Sequence, residues 1–267
     1  MKICIPILIL ASTVLAADPQ LPKIDSPDAA TKAQAAAATA AGKPVEFTNS
    51  VGIRFRLIPA GEFVMGRANG EPDAPPRVVK ITKPFYISVT EITRTQYEAV
   101  TGKKQSNFYP GADMPMNHVS WYHIDEFFGS LAKKEEGKKY RLPSEAEWEL
   151  AARAGETSVP DLAKVAWDAD DAKGEPHPVA KKAANAFGLF DTLGNLWEWC
   201  EDFYDKDYYR FGTSVDPTGP TITISRYRVV RGGSFMSQPQ TCDPAHRDFY
   251  QESRTTKDIG FRVVLPL

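Results

Sequence analysis

The sequence predicts a single α+β domain with little regular secondary structure. Helical spacing of apolar residues recurs in a few short segments, whereas the other apolar runs are short and bounded by turn residues, as strands are. The chain also contains 21 prolines and 18 glycines among 267 residues, which favours many turns over a helical bundle. No internal repeat or heptad pattern is present in the sequence. Short helices among many short strands indicate the α+β class.

The strands are predicted from short apolar runs. Residues Phe55–Gly66 contain two such runs around Pro59-Ala60-Gly61, a pattern that predicts a hairpin. Further strands are predicted at Val78–Ile81, Phe85–Val89, Tyr227–Arg231 and Gly260–Leu265.

The helices are predicted from their polar caps. Thr93 and Ser144 are each followed three residues later by Gln or Glu, the capping-box pattern that satisfies two backbone amides at a helix start. Ser120 is a candidate cap for a helix between them, and Gly102 and Gly155 are natural ends of the first and third helices. The middle helix has one apolar face made of Ile124, Phe127, Phe128 and Leu131.

The segment before the domain divides into two parts. Residues 1–16 are typical of a secretory signal peptide, with Lys2 at the start, an apolar run to Leu15 and the small residue Ala16 at the cleavage position. The run is shorter than the roughly 20 residues of a transmembrane helix. The candidate helix at Ala35–Ala41 lacks large apolar side chains with which to dock, so residues 17–48 are predicted to form a flexible, Ala-rich leader before a domain at 49–267. We therefore expect a periplasmic or secreted protein with no transmembrane segment.

The charge of the chain is nearly balanced. The 32 Lys and Arg residues face 34 Asp and Glu residues, a net charge of -2. No basic patch stands out, so the composition argues against a nucleic-acid partner.

The segment Arg231–Cys242 concentrates reactive side chains. A glycine pair is followed by the hydroxyls of Ser234 and Ser237 and by the thiol of Cys242. Cys200 is the other cysteine outside the predicted signal peptide, and an even pair in an oxidising compartment usually forms a disulfide. The expected Cys200–Cys242 bond has two open alternatives, a reactive free thiol and a buried small residue.

Blocks of sequence that are typical of one known family occur in order along the chain. They are Ile58–Gly66, Val119–Trp121, Tyr140–Glu149, Ala151–Arg153, Asn185–Asp191, Gly194–Trp199, Arg231–Ser234 and Gly260–Val263. On these blocks the chain resembles the sulfatase-modifying factor family, whose best-known member is the formylglycine-generating enzyme. The resemblance covers about residues 50–265 and implies a variant of the C-type lectin fold.

The resemblance also implies what chemistry to look for. Formylglycine-generating enzymes bind copper(I) through two cysteines, five residues apart after Arg-Gly-Gly-Ser, and use dioxygen to oxidise a substrate cysteine. Here Ser237 stands at the first position and only Cys242 is a cysteine. Because a serine hydroxyl does not replace a thiolate as a ligand of a soft ion, we expect no copper cofactor. Ser234, Ser237 and Cys242 remain the candidate catalytic residues.

A pocket is expected even without the metal ligands. Trp197 and Ser234 match pocket residues of the active enzymes. His246 and Arg247 follow Cys242 closely, and we include them with Trp197 as candidate substrate-pocket residues that bind an anionic group or transfer a proton. The alternative for His246 and Arg247 is a packing or surface role.

The resemblance further implies a structural calcium site. Asp191 and Glu198 would supply side-chain oxygens, and Gly194 and Leu196 would supply backbone carbonyls, in keeping with the preference of calcium for oxygen ligands. The alternative is a turn in which the carboxylates cap backbone amides.

These observations lead to one expected function and two alternatives. We expect a monomeric, calcium-stabilised binding or accessory protein for a peptide, a protein or another small extracytoplasmic ligand. The alternatives are an oxidoreductase with altered chemistry, such as a periplasmic maturation-type oxidation, and formylglycine generation on sulfatases.

Overall fold

The structure is a computed structural model that describes residues 20–68, 71–104, 109–221 and 223–267. The predicted signal peptide, residues 1–16, lies outside the described residues. The described residues form short helices and short strands, which confirms the α+β class. Within those residues, no helix has both the length and the apolar character needed to span a bilayer.

The helices and strands alternate irregularly along the chain. Their order is α1 (Pro27–Ala41), β1 (Glu46–Thr48), β2 (Arg54–Ile58), β3 (Gly61–Met65), β4 (Arg77–Ile81), β5 (Phe85–Ser88), α2 (Arg94–Thr101), α3 (Trp121–Lys134), α4 (Glu145–Arg153), α5 (Leu162–Val165), β6 (Trp197–Phe203), α6 (Tyr208–Phe211), β7 (Tyr227–Arg231), a 3-10 turn (Pro239–Thr241), β8 (Arg247–Gln251), β9 (Ile259–Gly260) and β10 (Val264–Pro266).

The described strands form two four-stranded sheets, in the orders β1-β2-β5-β10 and β8-β7-β6-β9, and the pair β3-β4. All pairings are antiparallel except that of β6 with β9. The hairpin predicted over Phe55–Gly66 is wrong, because β2 and β3 belong to different sheets. Phe55 and Leu57 pack in one apolar cluster, whereas Phe63 and Met65 pack in another. The strand predicted at Gly260–Leu265 is likewise divided between β9 and β10, which lie in different sheets.

The predicted helix caps are present. Thr93 and Ser144 each form a complete capping box, at the starts of α2 and α4. Ser120 caps α3 through a box whose second member is His123, and the buried face of that helix contains Ile124, Phe127 and Leu131. Local sequence therefore determines where these helices begin.

The segment predicted to be a flexible leader is docked on the domain in its described part, residues 20–48. Helix α1 buries small alanines, and its Gln34 side chain donates hydrogen bonds to the carbonyl oxygens of Leu57 (2.8 Å) and Phe187 (3.2 Å). Before the helix, Ile24 N–H donates to the Glu62 carbonyl at 2.8 Å. The prediction failed because it considered only the alanine helix, whereas Ile24 before the helix is buried in the same apolar cluster as Ala30 and Ala33. Small side chains allow close backbone approach, and buried hydrogen bonds supply the specificity.

The end of β7 is held from the side by α4. Arg231, the last residue of β7, is fully buried and donates to Glu145 Oε1 at 3.0 Å and to Glu149 Oε2 at 2.5 Å. Both glutamates lie on α4. Arg231 therefore has a structural role, and it fixes the point at which the chain enters the segment that contains Ser234, Ser237 and Cys242.

Candidate functional site

The backbone after β7 turns sharply through two glycines. Gly232 and Gly233 have φ values of 99° and 78°, a conformation that side chains other than glycine rarely adopt. A Cβ atom on Gly233 would lie 2.7 Å from Cys242 Sγ, so the glycine allows the thiol to pack against the backbone. The turn brings the start of the segment into contact with its end.

The two serines of this segment contact each other. Ser234 is fully buried, and Ser237 is half-buried. The Ser234 N–H donates to Ser237 Oγ at 2.9 Å, and the two hydroxyl oxygens are 3.2 Å apart. The Ser237 hydroxyl therefore stabilises a local turn through its contacts with the backbone amide and the hydroxyl of Ser234.

Cys242 is a buried thiol that stays protonated at neutral pH. Burial is the largest cause that raises its pKa, from 9.0 to about 12, and the negative charges of Asp168 and Asp171 act in the same direction. The nearby Gly194 amide lowers the pKa of Cys242 and opposes this shift only in part. A thiol acts as a nucleophile or a metal ligand in its ionised form, so this environment disfavours both roles.

The disulfide predicted between Cys200 and Cys242 is wrong, because both cysteines are free and buried. Their pKa values also respond to different charges. Cys200 is influenced by Asp202, whereas Cys242 is influenced by Asp168 and Asp171. Both side chains pack in one apolar cluster as small residues, which is the alternative that the sequence left open.

The donor set around Cys242 does not fit the copper(I) site of formylglycine-generating enzymes. Such a site needs two thiolates, and this segment offers one protonated thiol and one hydroxyl. Among the described residues, no group of three or more His, Cys, Asp or Glu side chains is arranged to hold a metal ion.

The predicted calcium segment lies in a buried acidic centre. Glu198 is bound by Arg262, whose Nε and Nη2 donate to its two oxygens at 2.6 Å each, and by Trp148 Nε1 at 2.6 Å. Asp191 Oδ2 accepts the Ala180 N–H at 2.7 Å, whereas Asp191 Oδ1 is buried with no hydrogen-bond partner in the described chain. Arg262 therefore has a structural role in this centre.

Glu91 joins this centre, although sequence reasoning missed it. It is fully buried, its Oε2 accepts Asn195 Nδ2 at 3.3 Å, and its Oε1 has no hydrogen-bond partner in the described residues. Burial raises its pKa well above the usual value, and the nearby carboxylates of Asp191 and Glu198 raise it further. Glu91 lies about one hundred positions before the others and follows no recognisable motif, so no local signal could have identified it.

The acidic centre has more negative than positive charge. Burial raises the pKa of Asp191 from 3.8 to about 6, and Glu198 adds to this shift, while the Ala180 amide and Arg262 oppose it. The three carboxylates are offset by the guanidinium of Arg262 and, at Asp191, by the charge of Lys182. One oxygen of Asp191 and one of Glu91 are unpartnered in the described residues. Unpartnered carboxylate oxygens are the donor type that calcium prefers, but these side chains do not by themselves form a group of three metal ligands. Because Glu198 is already bound to Arg262, backbone carbonyls such as those of Gly194 and Leu196 would be needed to complete the ligand set.

The three candidate pocket residues, Trp197, His246 and Arg247, do not all line the same pocket. The Trp197 side chain is 5% exposed and packs in the core, with its ring centroid 5.9 Å from that of His246. His246 lines an open cavity of about 570 Å³, and burial together with the charge of Arg231 lowers its pKa, which favours the neutral imidazole. This places His246, but not Trp197, in the wall of that cavity.

Arg247 does not fit the anion-binding role expected of it. It reaches the wall of the same cavity, but its buried guanidinium donates to Glu145 at 2.7 and 2.9 Å. Its guanidinium carbon also lies over two aromatic rings, 5.0 Å from the ring centroid of Tyr204 and 4.3 Å from that of Tyr209. The side chain stabilises the packing of β8 on α4 instead of offering a free charge.

Comparison with known proteins identifies the family. The family model of the sulfatase-modifying factor enzyme 1-like domain matches residues 47–267. The formylglycine-generating enzyme of Streptomyces coelicolor is 28% identical over an alignment of 314 residues, which covers 87% of this chain and 95% of that protein. The serine/threonine-protein kinase pkn1 of Chlamydia caviae is 29% identical over 236 residues, which cover 77% of this chain and 37% of the kinase. The chain thus spans little more than a third of the length of that relative.

Solved structures confirm the fold. Treponema denticola variable protein 1 has a TM-score of 0.76 and 26% identity, with 84% of this chain and all of that chain covered. PvdO from Pseudomonas aeruginosa has a TM-score of 0.75 and 28% identity, with 84% and 99% covered. The expected formylglycine-generating-enzyme-like variant of the C-type lectin fold is confirmed. On this evidence, the chain belongs to the sulfatase-modifying factor family.

Proposed function

We propose that this chain is an exported binding or accessory protein of the sulfatase-modifying factor family, without copper-dependent formylglycine generation. One observation carries the proposal. The position that needs a second thiolate holds Ser237, and the remaining thiol, Cys242, is buried and protonated at neutral pH. The fold is retained while the ligands of the oxidising metal are not, and function depends on the site and not on the fold.

The ligand is a peptide, a protein or another small extracytoplasmic molecule. An open cavity beside His246 supports this proposal, because binding sites are commonly concave with a few polar groups. Export rests on the amino-terminal sequence pattern, with its short apolar run and small residue at the cleavage position.

Calcium has a structural role in this proposal. Asp191 and Glu91 would hold the ion with their unpartnered oxygens, next to Glu198 and the carbonyls of Gly194 and Leu196. The ion would supply positive charge to a centre in which carboxylates outnumber cations. Arg262 orients the Glu198 carboxylate in this centre through two hydrogen bonds.

The proposal is tested by copper(I) titration and by incubation with a cysteine-containing sulfatase peptide. We expect wild-type protein to bind copper(I) no more tightly than the Cys242→Ala variant and to leave the peptide cysteine unchanged by mass spectrometry. Conversion of that cysteine to an aldehyde would overturn the proposal.

A gain-of-function variant sharpens the test. Ser237→Cys would restore the pair of thiols five residues apart, so we expect copper(I) binding to increase by at least about tenfold, in line with the preference of copper(I) for thiolates. The matched control is Ser225→Cys, which adds a thiol at an exposed serine before β7. Equal binding by the two variants would show that the segment does not retain the geometry of the metal site.

A further inference from the structure

The outer edge of strand β8 is open. Within the described residues, β8 ends its sheet and pairs only with β7. The Phe249 N–H donates to Asp248 Oδ1 at 2.7 Å, and the Gln251 carbonyl accepts the Arg254 N–H at 2.8 Å. Because backbone groups alternate in direction along an antiparallel strand, those of Arg247, Phe249 and Gln251 face away from β7. Such an edge is a template for another extended chain.

An aromatic surface lies beside this edge. The Phe249 ring is 37% exposed and stacks on Tyr204, with ring centroids 4.1 Å apart and an interplanar angle of 25°. Tyr227 meets the same ring edge-on at 5.1 Å. An apolar side chain of an incoming strand could cover the exposed face of Phe249, since aromatic rings contribute large contact areas.

An acidic cavity lies at the start of the same strand. The cavity of about 570 Å³ that His246 lines also contains the carboxylates of Glu71, Asp73, Asp207 and Asp248. Its cations are Lys206, Arg210 and Arg247.

The carboxylates of this cavity exceed its available positive charge. Arg247 is bound by Glu145, which lies outside the cavity, and is 3.5 Å from Asp73. Burial raises the pKa of Asp248, and the charges of Asp258 and Asp73 raise it further, as expected in a negative local field. A cationic group would relieve this field.

We propose that β8 accepts an extended peptide as an additional strand, with a lysine or arginine side chain in the acidic cavity and an apolar side chain two residues away on Phe249. Arg247 and Phe249 lie two residues apart on β8, so alternate side chains of the peptide match the cavity and the aromatic surface. On binding, Asp248 releases the Phe249 N–H to the incoming strand, and the basic side chain lies near the cavity carboxylates of Asp73 and Asp207. The inference rests on the proposed binding function and specifies its ligand.

The test uses a fluorescein-labelled, threonine-rich peptide of nine residues with lysine at position 4 and valine at position 6. We expect fluorescence anisotropy to show binding that weakens at least tenfold when glutamate replaces the lysine. Strand addition uses the amides of alternate residues only. Methylation of one alternating set of peptide amides should therefore abolish binding, and methylation of the other set should leave it unchanged. Equal binding of the lysine and glutamate peptides, or of the two methylated peptides, would overturn the inference.

Protein variants locate the binding surface. Asp207→Asn keeps the shape of the side chain and should reduce the preference for lysine over glutamate at least fivefold. Phe249→Thr keeps a residue suited to strands and should weaken binding of the valine peptide. The control, Asp125→Asn, removes a carboxylate from an exposed position on α3 and should bind like wild type. Melting temperatures of all variants establish that they are folded.

The outcome is separable from that of the proposed function. Peptide binding is measured without copper or dioxygen, whereas aldehyde formation on a sulfatase peptide tests the proposed function alone. Absence of both activities would reject β8 as the docking edge and leave the loss of copper chemistry intact. Aldehyde formation would reject the proposed function whatever β8 binds.

Discussion

The burial of Cys242 leads to a quantitative prediction about thiol reactivity. With its pKa raised from 9.0 to about 12, the thiolate fraction at pH 8 falls from about one in ten to about one in ten thousand. The thiolate is the species that reacts with alkylating agents, so ionisation alone should slow alkylation about a thousandfold. Full burial of the side chain slows it further, because the reagent must wait for a local opening of the structure.

The assay is alkylation by iodoacetamide, followed by mass spectrometry of the peptides that contain Cys200 and Cys242. Native protein at pH 8 is compared with protein unfolded in guanidinium chloride, in which both cysteines should react at the rate of an exposed thiol. The Cys242→Ser variant provides the control for peptide assignment. If Cys242 in the native protein reacts within about tenfold of its rate in the unfolded protein, the thiol is accessible and ionisable, and the argument from burial is refuted.

The same shift predicts how stability depends on pH. The unfolded thiol ionises near 9.0 and the folded one only near 12, so the unfolded state binds fewer protons between these values. The free energy of unfolding should therefore be unaffected by this group below pH 9 and fall by at most about 4 kcal/mol as the pH rises to 12. Comparison of wild type with Cys242→Ala over this range isolates the contribution, and parallel curves for the two proteins would contradict it.

Three further predictions concern the metal, the buried ion pairs and the docked helix. Calcium at 100 times its dissociation constant should increase the free energy of unfolding by about 2.7 kcal/mol, and Asp191→Asn should remove this increase. Arg231→Met should lower the free energy of unfolding by about 3–5 kcal/mol, because the buried Glu149 Oε2 would lose its cationic partner while Arg153 still binds only Oε1. Gly155→Ala should displace α1, since a Cβ there would lie 2.1 Å from the Ser26 carbonyl oxygen, and limited proteolysis should then cleave before residue 45.

Matched controls exist for each of these variants. Asp125→Asn and Arg254→Met change exposed charges and should shift stability by less than about 0.5 kcal/mol. Gly129→Ala adds a Cβ with no atom within 4 Å on α3 and should be neutral or slightly stabilising. An unchanged melting temperature on calcium removal would argue against the Asp191 centre. Wild-type stability of Arg231→Met would show that the ion pairs do not stabilise the fold, and resistance of Gly155→Ala to proteolysis would contradict the docking of α1.

The helix starts and the loss of the copper ligands could be predicted from the sequence. The caps at Thr93, Ser120 and Ser144 depend on residues three positions apart, and such local hydrogen bonds form largely independently of the rest of the chain. Ser237 likewise excludes a dithiolate by its chemical identity alone, whatever its surroundings. The sequence blocks that resemble the family identified the fold for a similar reason, since each is read directly from adjacent residues.

The tertiary structure alone decided how the remaining groups behave. Glu91 approaches Asn195 across 104 positions, and Arg247 is bound by Glu145 across 102 positions, so neither contact leaves a signal in local spacing. Burial made Cys242 a protonated packing residue instead of half of a disulfide, and close packing of small side chains docked α1. The physical reason is that solvation and charge pairing depend on which distant groups share the same space, and this is determined only when the chain has folded.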